Sequence, residues 1–372
     1  MRVWLAPSRY APHVGGIETV VAQLAGELAA RGDQVLVVTH RHPAGLPVDE
    51  TAGGIRVRRL TFDAPGRSVG ALQRFVASYR AVAVALDCEA TPDVLHLHGA
   101  ANQSLHLARY STGRGIPLVL TTHGEISGDV EDIFRRSAYF RFSFRFATRV
   151  AAAVTAPSEQ TLQEASLLAP GVRAKGRVVP NGIRTEAWQR CPPVRATGRV
   201  LAWGRLEPQK GFDRLLAAWP LVRRQLPHAE LRIAGEGAQR PALEKTASAG
   251  VQLLGRLGEA ELVQELGSAQ IAAVPSRVEA FGMSALEALA GGRPVLHSGV
   301  PALSDVVGDH GWVAPHDDPA ALAGALVAAL REEPRAVPPE AVQRFDWADV
   351  VEAYRGMYVA AVSGEASRRE TR

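Results

Sequence analysis

Cysteine is nearly missing from this chain: its 372 residues include Cys88 and Cys191 and no others. Two thiols without ligand spacing exclude a disulfide framework and a cysteine-built metal site, and they fit a reducing compartment. Long apolar runs are missing as well. No uninterrupted stretch reaches the roughly 20 residues that a membrane-spanning helix needs. The opening Met1-Arg2-Val3-Trp4-Leu5-Ala6-Pro7 lacks the extended apolar region of a secretory signal, so a cytoplasmic protein is expected. A GxxxxGK[ST] phosphate loop is absent, which argues against a kinase or ATPase. The net charge is only +4 and the arginines are scattered. Such a charge implies no nucleic-acid surface, while an anionic substrate or an acidic membrane face is compatible with it. No repeat at solenoid spacing is visible.

What is present is an alternation of short apolar runs with longer amphipathic stretches. Strands are expected at Arg2–Ala6, Gln34–Thr39, Val94–His98, Leu118–Thr122, Val154–Ala156 and Val178–Pro180. Ile17, Val20, Val21, Leu24 and Leu28 recur at helical spacing within Gly16–Arg31. A polar segment, Arg184–Gly198, precedes a second series: strands at Val200–Trp203, Glu230–Ala234, Val251–Leu254, Ile271–Val274 and Pro294–His297, with helices at Gly211–Leu226, Gln239–Ala249, Glu259–Ala269 and Gly282–Ala290. Interleaved strands and helices predict an α/β protein with two Rossmann-like, doubly wound parallel sheets, each covered on both faces. The expected domains are 1–185 and 186–345. Helices follow at Ala320–Arg331 and Trp347–Val362, and the charged tail 364–372 is expected to lack order. Tandem sheets of this kind place ligands at the carboxyl ends of their strands, facing an inter-domain cleft.

Four loops carry chemistry. Pro275-Ser276-Arg277-Val278-Glu279-Ala280-Phe281-Gly282-Met283-Ser284 follows a buried strand and opens a helix that contains Glu287. Unpaired N–H groups at a helix start favour a phosphate, and two carboxylates a turn or more apart can hold two sets of hydroxyls. Taken alone, a strand, a loop and a helix with two glutamates are more often ordinary surface structure. Trp203-Gly204-Arg205-Leu206-Glu207-Pro208-Gln209-Lys210-Gly211 also links a strand to a helix. Arg205 and Lys210 suit a diphosphate, although two basic residues in a loop are more often merely solvated. In Pro12-His13-Val14-Gly15-Gly16, paired glycines expose backbone N–H groups. Thr121-Thr122-His123-Gly124 ends a strand with a histidine, a residue that is usually structural when alone. His96 and His98 alternate on one strand and share a face, without a third ligand at metal spacing.

In their order along the chain these segments resemble the retaining GT-B glycosyltransferases of family 4. Pro180-Asn181-Gly182-Ile183, Gly235-Glu236-Gly237, Leu254-Gly255-Arg256-Leu257 and the helix Trp347–Val362 extend the likeness over nearly the whole chain. The resemblance implies a hexosyltransferase that takes a UDP- or GDP-sugar. It assigns Arg205 and Lys210 to the donor diphosphate, helped by the amides of Met283 and Ser284, with Gly15 and Gly16 at the distal phosphate. Glu279 and the amides of Ala280, Phe281 and Gly282 would hold sugar hydroxyls, Glu287 the ribose, and His123 the transferred sugar. Arg256 would lie near the base. The last helix would cross back onto the first domain. With no Asp-x-Asp motif in the second half, no metal or other cofactor is expected, and the two basic residues would serve in place of a divalent ion. Retention is implied by the family alone. No second carboxylate is placed as a nucleophile, which favours a front-face mechanism. The acceptor stays open among a small metabolite, an antibiotic precursor, a cyclitol and a polysaccharide intermediate.

Two segments depart from the pattern. Trp203 stands where a small or aliphatic residue is usual, and is expected to fill the core. Tyr139–Phe146 interleaves aromatics with Arg141 and Arg145, and Arg149 continues their i, i+4 row. A helix with inward aromatics and solvated arginines is the plainer reading; a membrane-surface patch is the sharper one. A transferase joining a cyclitol to an amine, or a non-catalytic sugar-nucleotide binder, would carry similar donor residues.

Overall fold

A computed structural model describes residues 1–13, 15–66, 68–126, 133–189, 191–315 and 317–364. The tail expected to lack order falls, from 365 onward, outside the described residues, as does Val14 of the glycine loop. The chain forms two units, one of Met1–Asn181 with the helix Trp347–Ser363, the other of Gly182–Asp346. The break comes before the expected 185/186 boundary because Ile183 is already tied to the end of the second unit. Its N–H donates to the Phe345 carbonyl at 2.8 Å, and it bridges to Asp346.

The first unit is built on strands β1 (Arg2–Pro7), β2 (Gln34–His40), β3 (Asp49–Ala52), β4 (Ile55–Leu60), β5 (Val94–His98), β6 (Leu118–Thr121), β7 (Ala153–Ala156) and β8 (Gly176–Val178). Their order is β3-β4-β2-β1-β5-β6-β7-β8. Alternate residues of β1 serve opposite faces, as a period of two requires. Trp4 and Ala6 join one apolar cluster, Val3 and Leu5 the other. The second of these clusters also takes in Trp347, Val350, Val351, Tyr354 and Tyr358 of the last helix.

The expected parallel sheet is present with one addition, and two element bounds need correction. The addition is the edge strand β3, which runs antiparallel to β4 around Gly53-Gly54. That hairpin escapes an apolar-run search because Asp49, Glu50, Arg56, Arg58 and Arg59 occupy it. The last strand is Gly176–Val178, not Val178–Pro180: it is an edge strand held by its backbone pairing with β7, so Val178 is exposed and apolar content misplaces it. The expected helix over Gln239–Ala249 is only Arg240–Thr246.

The helix Ala138–Val150 packs Phe144 inward, and Phe134 meets Phe140 and Phe144 edge to face. Its arginines are largely engaged within the chain. Arg141 donates to the carbonyls of Phe134 and Arg135, Arg145 donates to the Leu168 carbonyl, and Arg149 lies over the Phe146 ring. Among the described residues no helix is long and apolar enough to cross a membrane.

The second unit holds β9 (Arg199–Trp203), β10 (Glu230–Ala234), β11 (Val251–Gly255), β12 (Ile271–Val274), β13 (Val295–His297) and β14 (Gly311–Val313). They are ordered β11-β10-β9-β12-β13-β14, and each pair is parallel. Strand order reverses between β9 and β12. In an open α/β sheet the crevice at such a reversal is where ligands bind. The two loops that leave it are the Arg205–Lys210 and Ser276–Gly282 segments.

Candidate active site

The loop after β9 is shaped by local backbone demands. A short 3-10 turn spans Pro208–Lys210, and Gly211 then adopts φ +70° before the helix Phe212–Gln225 begins. Any side chain at 211 would meet the carbonyl of Pro275 in the facing loop. The two loops are also bonded directly. The Arg277 N–H donates to the Gln209 carbonyl at 2.8 Å. The Arg277 guanidinium grips Asp213 through two bonds of 2.7 and 2.6 Å and donates to the Pro208 carbonyl at 2.7 Å. This bidentate pair holds the Asp213 carboxyl below its ordinary range. Arg277 and Asp213 thus fix one loop against the other. Neither side chain stands out in the sequence, although Arg277 lies in the loop that carries Glu279.

That clamp brings Lys210 to Glu279. The ammonium donates to Glu279 Oε2 at 2.7 Å, and the Ser276 hydroxyl donates to the same oxygen at 3.1 Å. Ser276 is itself pinned, because its carbonyl accepts from the Ser298 hydroxyl at 2.6 Å. Downstream, Phe281 is buried and meets Phe345 edge to face. Gly282 takes φ +102° as the cap of the helix Met283–Ala290, and a Cβ there would lie 2.5 Å from Leu303 Cδ2. No side chain caps this helix, which leaves its first amides, those of Met283 and Ser284, unclaimed by a capping group.

Glu287 lies in that helix. Its Oε2 accepts from the Trp203 indole N–H at 2.7 Å. Trp203 therefore does more than fill the core: it packs in the apolar cluster and also orients a carboxylate. Burial lifts the Glu287 carboxyl from 4.5 to about 7; the Trp203 bond opposes the rise, Glu259 adds to it, and Lys210 subtracts. Arg205 and Arg256 are exposed at the ends of β9 and β11, and no side-chain partner is seen for either among the described residues. The structure thus gathers Lys210, Glu279 and Glu287 in one place, with Arg205 on the Lys210 loop.

His123, Gly15 and Gly16 belong to the first unit. Gly15 caps the helix Gly16–Ala30 with an extended backbone and no side-chain bond. His123 lies just past β6. Its N–H and the Thr122 hydroxyl both donate to Glu125, at 2.9 and 2.8 Å. Its Nε2 is 3.1 Å from His98 Nδ1. Burial lowers the His123 pKa and Glu125 works against the shift, so the neutral imidazole is favoured. The neighbouring His96 is bonded through both nitrogens, to the Tyr358 hydroxyl at 2.7 Å and to the Thr121 hydroxyl at 2.6 Å. Among the described residues no group of three or more His, Cys, Asp or Glu could hold a metal ion.

Comparison with known proteins bears on what these loops do. Residues 14–187 match the model described as Glycosyltransferase Family 4, and residues 197–332 the model described as Glycosyl transferases group 1. A glycogen synthase of Mycobacterium tuberculosis is 31% identical across 98% of this chain and 96% of its own. The chain belongs to glycosyltransferase family 4. A phosphatidyl-myo-inositol mannosyltransferase of Mycobacterium leprae is 30% identical over 94% of each chain. Among solved structures, a sucrose-phosphate synthase from Thermosynechococcus elongatus superposes with a TM-score of 0.74 at 22% identity, covering 96% of this chain and 99% of that one. HepE of Anabaena, in complex with UDP and glucose, does so with 0.74 at 18%, covering 97% and 100%. The family 4 protein thus has the GT-B fold. It is a glycosyltransferase that uses nucleotide sugars, as its family relatives do.

Proposed function

We propose that this glycosyltransferase moves a hexose-type sugar from a UDP- or GDP-sugar to an acceptor hydroxyl, with retention of configuration and without a divalent cation. The observation that carries the reading is the Lys210–Glu279 pair beside Glu287, at the strand-order reversal of the second sheet. Lys210 and Arg205 take the diphosphate with the amides of Met283 and Ser284, and Gly15 and Gly16 meet the distal phosphate. Glu279, with the amides of Ala280 to Gly282, holds the sugar hydroxyls, Glu287 the ribose, and Arg256 lies towards the base. His123 contacts the transferred sugar. Breaking the anomeric bond places charge on the leaving diphosphate, which a preorganised cation stabilises most in the transition state. A donor phosphate oxygen then accepts the acceptor's proton on the same face. Of the relatives, one from Xanthomonas oryzae is named for GDP-mannose, and the HepE structure holds UDP. The chemistry of the site suits either nucleotide, and the acceptor is a small molecule or a glycan intermediate.

A thermal-shift series with UDP, GDP, UDP-glucose and GDP-mannose tests the donor. A true ligand at a hundred times its dissociation constant adds about 2.7 kcal/mol of stability. One nucleotide series is expected to raise the melting temperature; no shift with any of the four overturns the reading.

Glu287 makes a sharper prediction. Ribose hydroxyls donate to its ionised form, and its carboxyl titrates at about 7. Nucleotide affinity is therefore expected to rise about tenfold from pH 6 to pH 8, and Glu287→Gln should flatten that dependence. Folding runs the other way. The folded chain holds a proton on Glu287 between 4.5 and about 7 that the unfolded chain has released, so this residue's contribution to stability falls as pH rises through that window. Calorimetric titration at both pH values checks the sign; equal affinities would remove Glu287 from the ribose.

A further inference from the structure

We propose that His98 is a positioning residue that holds His123 in the tautomer with its proton on Nδ1, so that His123 meets the sugar as a neutral N–H donor. The inference rests on the reading that His123 contacts the transferred sugar.

His98 is the last residue of β5, opposite Thr121 of β6, and His123 follows two positions later. The two rings lie 5.4 Å apart with their planes inclined by 26°, joined by the 3.1 Å contact between His98 Nδ1 and His123 Nε2. Two neutral imidazoles bonded in this way share one proton, which sits on one side or the other. The rest of His98 decides which. Its side chain is fully buried, and its Nε2 has no partner among the described residues. His96 packs against it, tilted by 38° at 3.9 Å between ring centres, but has committed both of its own nitrogens, to Tyr358 and Thr121. A proton on His98 Nε2 would be a buried donor with no acceptor, the kind of orphan that folded proteins avoid most strictly. The proton therefore belongs on His98 Nδ1 and is donated to His123 Nε2. In its neutral form His123 must then carry its own proton on Nδ1. His123 is only partly buried, and its Nδ1 has no partner among the described residues.

The tautomer matters for the chemistry. Positive charge grows at the anomeric carbon as the leaving group departs. An imidazolium beside it would oppose that charge, whereas a neutral N–H can bind a sugar oxygen without doing so. The second nitrogen of a histidine sets what the first can do. His98 fills that role from a buried position, beside a His96 ring that its own two bonds hold in place.

The test begins with the wild-type full chain. Its histidine nitrogen NMR spectrum is expected to show His123 protonated at Nδ1 and bare at Nε2. The reverse pattern overturns the proposal outright, whether or not any variant folds. In His98→Asn the amide nitrogen replaces Nδ1 as a donor, so the pattern and the kcat for hydrolysis of UDP-glucose or GDP-mannose should stay near wild type. His98→Leu removes the donor. The His123 pattern should be lost and kcat should fall about 10–100-fold with little change in KM. A leucine variant that keeps both refutes the role. His123→Ala separates the two claims: undiminished hydrolysis in that variant, with the wild-type Nδ1 proton in place, refutes the sugar contact and leaves the tautomer standing.

Discussion

Replacing Lys210 with alanine is expected to lower kcat for sugar transfer by about 10²–10³-fold, the usual loss when one preorganised charge-stabilising donor is removed. The effect belongs in kcat because the diphosphate gains charge only as the anomeric bond breaks. Lys210 is held for that moment by Glu279, which is held in turn by Ser276. Lys210→Arg keeps the charge but exchanges a compact ammonium for a planar fork, which the single Glu279 oxygen does not match. It should recover only part of the loss. Steady-state measurement of nucleotide release across these variants checks the claim, and a loss below about threefold in Lys210→Ala would remove Lys210 from the leaving group.

The second large effect is on stability. Gly211→Ala should destabilise the second unit by about 3 kcal/mol or more, because it combines an unfavourable left-handed backbone with a collision against a backbone carbonyl. Gly211 sits at φ +70°, and the atom in the way is the Pro275 oxygen, which cannot rotate aside like a side chain. For a unit of this size that corresponds to a fall in melting temperature of about 6–12 °C. Activity should suffer beyond the loss of folded protein, since residue 211 adjoins Lys210 and the collision pushes apart the loops that Arg277 joins. Calorimetry with a parallel activity assay tests this; an alanine variant that melts like wild type would show that the loops are free to separate.

How much of this the sequence disclosed depends on how local each signal is. The central strands are legible because each carries a short, mostly buried run: β12 is Ile-Ala-Ala-Val throughout, while β5 and β10 alternate Val, Leu, Ile and Ala with His96, His98 and Arg232. The β3–β4 hairpin is not, because its charged side chains hide backbone pairing. The motif residues Lys210, Glu279 and Glu287 were found by their order along the chain and their place after strands. What holds them was invisible, since each support joins residues far apart in sequence. Trp203 reaches Glu287 across the switch point, and Arg277 reaches back to Asp213. Trp203 was noticed as an oddity, and its indole N–H was the overlooked clue: a buried tryptophan needs an acceptor. In the sequence His98 is only half of an alternating pair, because nothing in the spacing places β5 beside the end of β6.

The helix Trp347–Ser363 has a consequence for the order of assembly. Its tyrosines complete the apolar face of the first sheet, with Tyr358 bonded to His96 and Trp347 donating to Gln23. The second unit is therefore an insert within the first, which the chain leaves at Asn181 and re-enters at Trp347. On the ribosome the first unit to be synthesised is the last to be finished. Until the final helix emerges, Val20, Val94, Val119 and their neighbours lack part of the apolar cluster they join in the finished fold. Chains released at 346 should fold their second unit, yet carry an open apolar face on the first, and be held by chaperones that the full-length chain escapes.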